Sequence, residues 1–163
     1  MRHADGCRGE RPYTGCAMPM FDALQKLFTA TRVRREEMPY VVCRLQPEVS
    51  LAGVVALQPP PLCICVEPDG ATVFLPEPAL EALRSVATVA EHDGPWTVFG
   101  LYAPFDFGVT GYLAAVCDAL ARLDIPVLSL ATYRRDFLLV PGARADEAEK
   151  ALDALITGTG TRL

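Results

Sequence analysis

Apolar residues recur along the second half of the chain with two different periods. Trp96 to Tyr102 (WTVFGLY) is dense in aromatic and β-branched residues and predicts a strand. Leu113, Val116, Cys117 and Leu120 fall at helical spacing and mark one apolar helix face. Ile125 to Ala131 (IPVLSLA) is apolar on both parities, which predicts a strand buried on both faces. Phe137 to Val140 (FLLV) predicts a further strand, ended by Pro141-Gly142. Ala148, Ala151, Leu152 and Leu155 stripe a last helix, with Asp146 and Glu147 in its first turn, where the helix dipole favours negative charge. Residues 96–156 therefore predict β-α-β-β-α, one strand short of a ferredoxin-like βαββαβ unit.

The first half repeats that order less distinctly. Tyr40 to Leu45 (YVVCRL) predicts a strand stopped by Pro47, and Pro59-Pro60-Pro61 breaks any helix begun at Leu51 to Leu57. Leu62 to Val66 and Thr72 to Leu75 flank Pro68-Asp69-Gly70, a turn signal that predicts a β-hairpin. Pro76 to Val86 is helical in pattern, with Leu80 and Leu83 on one face. Glu91 to Pro95 predicts a loop and the best internal boundary. The tail from Thr157 to Leu163 is too polar and Gly-rich to supply the missing strand of the second half. Tyr40 to Leu45 is the natural candidate, so the halves are expected to interleave into one cooperative α+β unit. Upstream, Phe21, Leu24, Leu27 and Phe28 allow one short amphipathic helix. The division expected is an extension over 1–37, a first half over 38–90, a second over 95–157 and a tail over 158–163. The polar, Gly- and Arg-rich run from Met1 to Pro19 reads as flexible, and Met18 or Met20 is an alternative start.

Charge removes several function classes. The chain has 163 residues and a formal net charge of −5, with no basic concentration fit to neutralise a phosphate backbone, so a nucleic-acid partner is not expected. Arg32, Arg34 and Arg35 are followed at once by Glu36 and Glu37, a mixed and solvated surface. No apolar run approaches the roughly 20 residues that cross a bilayer, and residues 1–19 lack the apolar core of a secretory signal. Six cysteines without such a signal point to free thiols in a reducing, cytoplasmic setting.

Catalytic and metal chemistry find little footing. The two histidines, His3 and His92, have no recognisable partner, and no nucleophile-elbow, phosphate-loop or zinc-protease motif is present. Cys63 and Cys65 share a strand face, but zinc sites use other spacings, so no metal or cofactor is expected. The chain does not read as an enzyme.

Three stretches carry a resemblance: Phe105-Asp106-Phe107-Gly108-Val109-Thr110-Gly111-Tyr112-Leu113, then Leu123 to Val127, then Ala131-Thr132-Tyr133-Arg134-Arg135-Asp136-Phe137 to Pro141. Together they resemble tandem ACT domains of the kind found in aspartate kinase regulatory regions and cytosolic arginine sensors. The likeness is strong from Trp96 to about Leu155; across Tyr40 to Val86 it rests on element order and on Phe74-Leu75-Pro76-Glu77. It implies two ACT-type subdomains, an amino acid bound at an interface between units, a homodimer, and a regulated enzyme as the partner that reads the signal. Gly108 stands where the family usually carries Ser, and Arg135 where it carries a small Thr-like residue.

The ligand-binding residues this implies are Phe107, Gly108, Val109, Thr110, Gly111, Thr132, Tyr133 and Asp136. A loop entering a helix at Thr110-Gly111 offers unpaired N–H groups to a carboxylate, and Asp136 can hold an ammonium or guanidinium. Each has a plainer reading as well. Asp106, Thr110 and Gly111 also fit a helix cap and turn, and Asp136 fits a surface ion pair with Arg134 or Arg135. A ligand-free ACT module serving dimerisation or partner docking is the alternative function.

Overall fold

The computed structural model describes residues 17–104 and 109–158, with side chains from residue 23 onward. In chain order the elements are α1 (Ala17–Ala30), β1 (Arg32–Arg35), β2 (Tyr40–Leu45), α2 (Leu51–Val55), β3 (Cys63–Glu67), β4 (Gly70–Pro76) and α3 (Leu80–Val86). There follow β5 (Val89–Tyr102), α4 (Tyr112–Ala121), β6 (Leu128–Ala131), β7 (Asp136–Pro141) and α5 (Ala145–Thr157).

The strands form one antiparallel sheet of order β3-β4-β2-β5-β7-β6, with β1 paired to β5 beside β2. β5 is 14 residues long and runs through Glu91 to Pro95, where the sequence predicts a loop. That segment carries no run of buried apolar residues, because its contribution is backbone: Asp93, His92 and Glu91 pair with Val42, Cys43 and Arg44. The register advances by three residues on β5 (Trp96 to Asp93) for two on β2 (Tyr40 to Val42), a bulge centred on Gly94-Pro95 that turns the strand from one partner set to the next.

β5 therefore serves two units. Its first half is the fourth strand of β2-α2-β3-β4-α3-β5, and its second half is the first strand of β5-α4-β6-β7-α5. The strand missing from the second unit is β1, which pairs Arg32 with Tyr102 and Val33 with Leu101. This corrects the assignment of Tyr40 to Leu45 to that role: β2 belongs to the first unit. Both units have the spatial order fourth-first-third-second strand, the ferredoxin-like arrangement, and the halves interleave through β1 and β5. Their third strands end alike. Pro76 and Pro141 have nearly the same backbone angles, and each passes through a single 3₁₀ turn into a helix.

Each unit packs its helices on one sheet face. Val41, Cys43, Leu45, Val73 and Leu75 meet Val54 and Leu83 in the first. Phe99, Leu101, Leu138 and Val140 meet Val116, Leu120, Ala148 and Leu152 in the second. On the opposite face Tyr40, Phe74, Val98, Phe137 and Leu139 form a third apolar cluster spanning both units. Ile125 to Ala131 departs from the expectation of a strand buried on both sides. β6 is only four residues long and lies at the sheet edge, where Leu128 is 37% exposed. Ile125 and Val127 instead fill the helix-side core from the loop after α4.

Residues 17–35, assigned to an extension by the sequence, contribute a helix and a strand to the second unit. Leu27 and Phe28 are buried, and the Phe28 ring stacks on Tyr112 at 4.9 Å between centroids. Thr31 donates its hydroxyl to the Leu27 carbonyl (2.8 Å), so at 3.0 Å it accepts from the Tyr112 hydroxyl. Arg35, on the helix side of β1, bonds Asp146 and Glu149 of α5 at 2.7 and 3.1 Å. Those hydrogen bonds raise the Arg35 pKa and lower that of Asp146. Phe28→Ala is expected to lower the unfolding free energy by about 3–5 kcal/mol in urea titration. A loss under about 0.5 kcal/mol, the size typical of an exposed site, would contradict the docking of α1.

Candidate functional site

The end of β5 divides the candidate residues between two sheet faces. Successive strand residues point to opposite sides. Leu101 and its partner Asp136 lie on the helix side, with Leu138 and Val140 following in β7. Tyr102 and Arg135, one position off, lie on the other.

On the helix side, α4 begins at Tyr112 with Gly111 as its N-cap in the left-handed region, φ +88°. A side chain at that φ costs roughly 1–2 kcal/mol, which explains a glycine here. No side chain among the described residues caps this end, and the first turn holds no acidic residue. Its early N–H groups thus keep the partial positive charge of a free helix N-terminus. Asp136 is half-buried below, and its charge helps raise the pKa of the Tyr112 hydroxyl, after burial as the larger cause. The Asp136 carboxyl is itself raised by desolvation. No Arg or Lys forms an ion pair with it among the described residues, so the alternative of a salt bridge to Arg134 or Arg135 is not realised there.

The other predicted residues are placed unevenly. Thr110 is exposed and Val109 packs partly on the core beside α4. Thr132 is spent locally: its hydroxyl and its N–H both donate to the Arg135 carbonyl, closing the β6–β7 turn. Tyr133 lies on that turn, 79% exposed. Phe107 and Gly108, with Phe105 and Asp106, lie outside the described residues.

On the opposite side a cleft of about 590 Å³ is lined by Ala30, Arg32, Tyr102, Ala103, Pro104, Tyr133, Arg134 and Arg135. Sequence reasoning missed it, because Arg32 and the Arg134-Arg135 pair are a hundred residues apart and meet only through the β1–β5–β7 pairing. A second cleft, about 540 Å³ beside α3, contains Glu48 and Arg84, and Arg84 is already paired with Glu81 at 2.6 Å.

Four of the six cysteines, Cys43, Cys63, Cys65 and Cys117, are among the described residues, and all four are free thiols. Burial pushes Cys43 up to about 11, and raises Cys63 and Cys117 as well. Cys63 and Cys65 lie 3.7 Å apart, and no cluster able to hold a metal ion occurs among the described residues.

Comparison with known proteins places this architecture. The ACT domain family model matches residues 91–154. This part of the chain is similar to ACT domains. The match begins within β5 and ends in α5, so it covers the second unit except for β1, its strand from earlier in the chain. The whole two-unit arrangement is shared with solved structures of low identity. A Vibrio cholerae protein of unknown function has a TM-score of 0.66 at 21% identity, over 84% of this chain and 98% of that one. An Agrobacterium tumefaciens protein gives 0.62 at 18% identity, over 77% and 88%. The regulatory subunit of aspartate kinase from Thermus thermophilus, in its ligand-free form, gives 0.57 at 14% identity, over 77% and 98%. No curated protein matches the chain.

In the second unit, Asp136 is a half-buried carboxyl whose titration bears on stability. Its folded-state pKa lies above its ordinary 3.8, so the folded chain holds that proton more tightly than the unfolded chain. Stability from this group is full below about 3.8 and falls as pH rises through the raised value. Asp136→Asn is expected to raise the melting temperature at pH 7, with the advantage over wild type shrinking as pH drops toward 4. A variant less stable than wild type at pH 7 would show that the carboxylate is compensated.

Proposed function

We propose that the chain is a regulatory module that binds an amino acid between the N-terminus of α4 and Asp136. The single observation that supports this is the pairing, among the described residues, of a helix N-terminus with no side-chain cap and a half-buried carboxylate with no cation partner. Those two groups are complementary to a zwitterion. The ligand carboxylate meets backbone N–H groups and the positive end of the dipole, and its ammonium meets Asp136 in a charge-assisted hydrogen bond. Thr110 is the hydroxyl left to orient the ligand, since that of Thr132 is engaged in its turn. Similarity to aspartate kinase regulatory domains supports a regulatory role rather than a catalytic one.

The mechanism we propose is ligand-biased assembly into a homodimer that a regulated enzyme reads, in the cytoplasm. A ligand shifts such an equilibrium only by its differential affinity for the two states. A ligand-free docking module is the second reading, favoured by the open sheet edges at β3 and β6, with Val66 and Leu128 exposed. A thermal-shift screen against the twenty amino acids separates the two. Binding at a hundred times the dissociation constant is expected to add about 2.7 kcal/mol, and Asp136→Asn is expected to abolish that gain. A flat screen on folded protein, or an unchanged gain in the variant, would reject the proposed site.

A further inference from the structure

Arginines elsewhere in the described chain are matched to carboxylates. Arg34 is paired with Glu36, Arg35 with Asp146 and Glu149, Arg44 with Asp69 and Glu91, and Arg84 with Glu81. Arg122 is paired with Asp118 and Arg144 with Glu147. Such matching is what a chain of net charge −5 is expected to show, since carboxylates outnumber guanidinium groups on its surface. Arg32, Arg134 and Arg135 have no such partner among the described residues, and all three line the cleft at the end of β5. Among the described residues, no carboxylate lines that cleft.

The cleft is built rather than incidental. Arg135 is half-buried; its guanidinium stacks over the Tyr102 ring at 4.6 Å and donates to the Tyr102 hydroxyl at 3.2 Å. The ring in turn lies against Gly100, where a Cβ would come within 2.8 Å of it. A side chain at 100 would lift Tyr102 and take Arg135 with it. The Thr132 bonds to the Arg135 carbonyl fix the turn that carries Arg134. Arg32 arrives from the start of β1, directly opposite Tyr102 in register.

We propose that this cleft is a second binding site, for a small molecule carrying a diphosphate or longer phosphate chain. Three arginines lining one cleft, with no carboxylate partner among the described residues, call for more negative charge than the single carboxylate of an amino acid supplies. Their planar forks suit the oxygens of adjacent phosphates. The site lies on the sheet face opposite Asp136 and does not depend on the amino-acid reading.

Isothermal titration calorimetry of the full chain tests it, with pyrophosphate and ADP as probes and citrate as a polycarboxylate comparison. Pyrophosphate or ADP is expected to bind saturably at one site, more weakly as salt rises. Arg32→Ala and Arg134→Ala are each expected to weaken binding about tenfold or more. Arg135→Lys keeps the charge but loses the stacked fork, and is expected to weaken it also. Circular dichroism of each variant checks that the fold is retained, and the amino-acid response in the thermal-shift screen is expected to be unaffected. Absence of saturable binding, binding of citrate in preference to pyrophosphate, or affinity unchanged by the Ala variants would each overturn the proposal.

Discussion

The backbone pairing of β5 is the constraint on which the rest depends. One strand of 14 residues gives its first half to β2 and its second to β7 and β1. Neither unit has its four strands without it. Because hydrogen bonds to both units come from one continuous segment, opening β5 at either end exposes N–H and C=O groups in the other unit's sheet. The apolar cluster of Tyr40, Phe74, Val98, Phe137 and Leu139 crosses the same line with side chains. The bulge at Gly94-Pro95 is what allows one strand to do this, since it re-aims the backbone between partners.

That strand also decides which chemistry faces which side. At its C-terminal end the alternation of the pleat sends Leu101 and Asp136 under α4, and Tyr102 and Arg135 to the far face. The α4 N-terminus and Asp136 therefore come to lie back to back with the cleft lined by Arg32, Arg134 and Arg135. The two are electrostatically opposite and separated by one sheet.

Much of this was legible in the sequence, and the misses have physical causes. Strands rich in aromatic and β-branched residues, such as 96–102 and 137–140, announce themselves because their side chains fill the core. Residues 91–95 do not, since Glu91, His92 and Asp93 contribute backbone pairing while their side chains stay exposed. β1 was hidden for the same reason: in Arg32–Arg35 only Val33 reaches the core, and a four-residue strand of arginines has the composition of a surface. IPVLSLA misled in the other direction, because apolar residues on both parities at a sheet edge are divided between the helix core and solvent. Among the candidate residues, Gly111 and Asp136 stand where the sequence places them, at a helix start and a strand start. The arginine cleft was not legible, because it exists only once β1 is placed beside β5.

Native-state hydrogen exchange tests the shared-strand account most directly. The amides to compare are those pairing β2 with β4 and β5 in the first unit, at Val42 and Cys43, and those pairing β5 with β7 in the second, at Phe99 and Leu138. If β5 binds the units into one cooperative structure, both sets exchange through global unfolding, with the same free energy and the same denaturant dependence. Protection of the second set persisting at denaturant concentrations where the first has been lost would contradict it, and would make the chain two units that open separately.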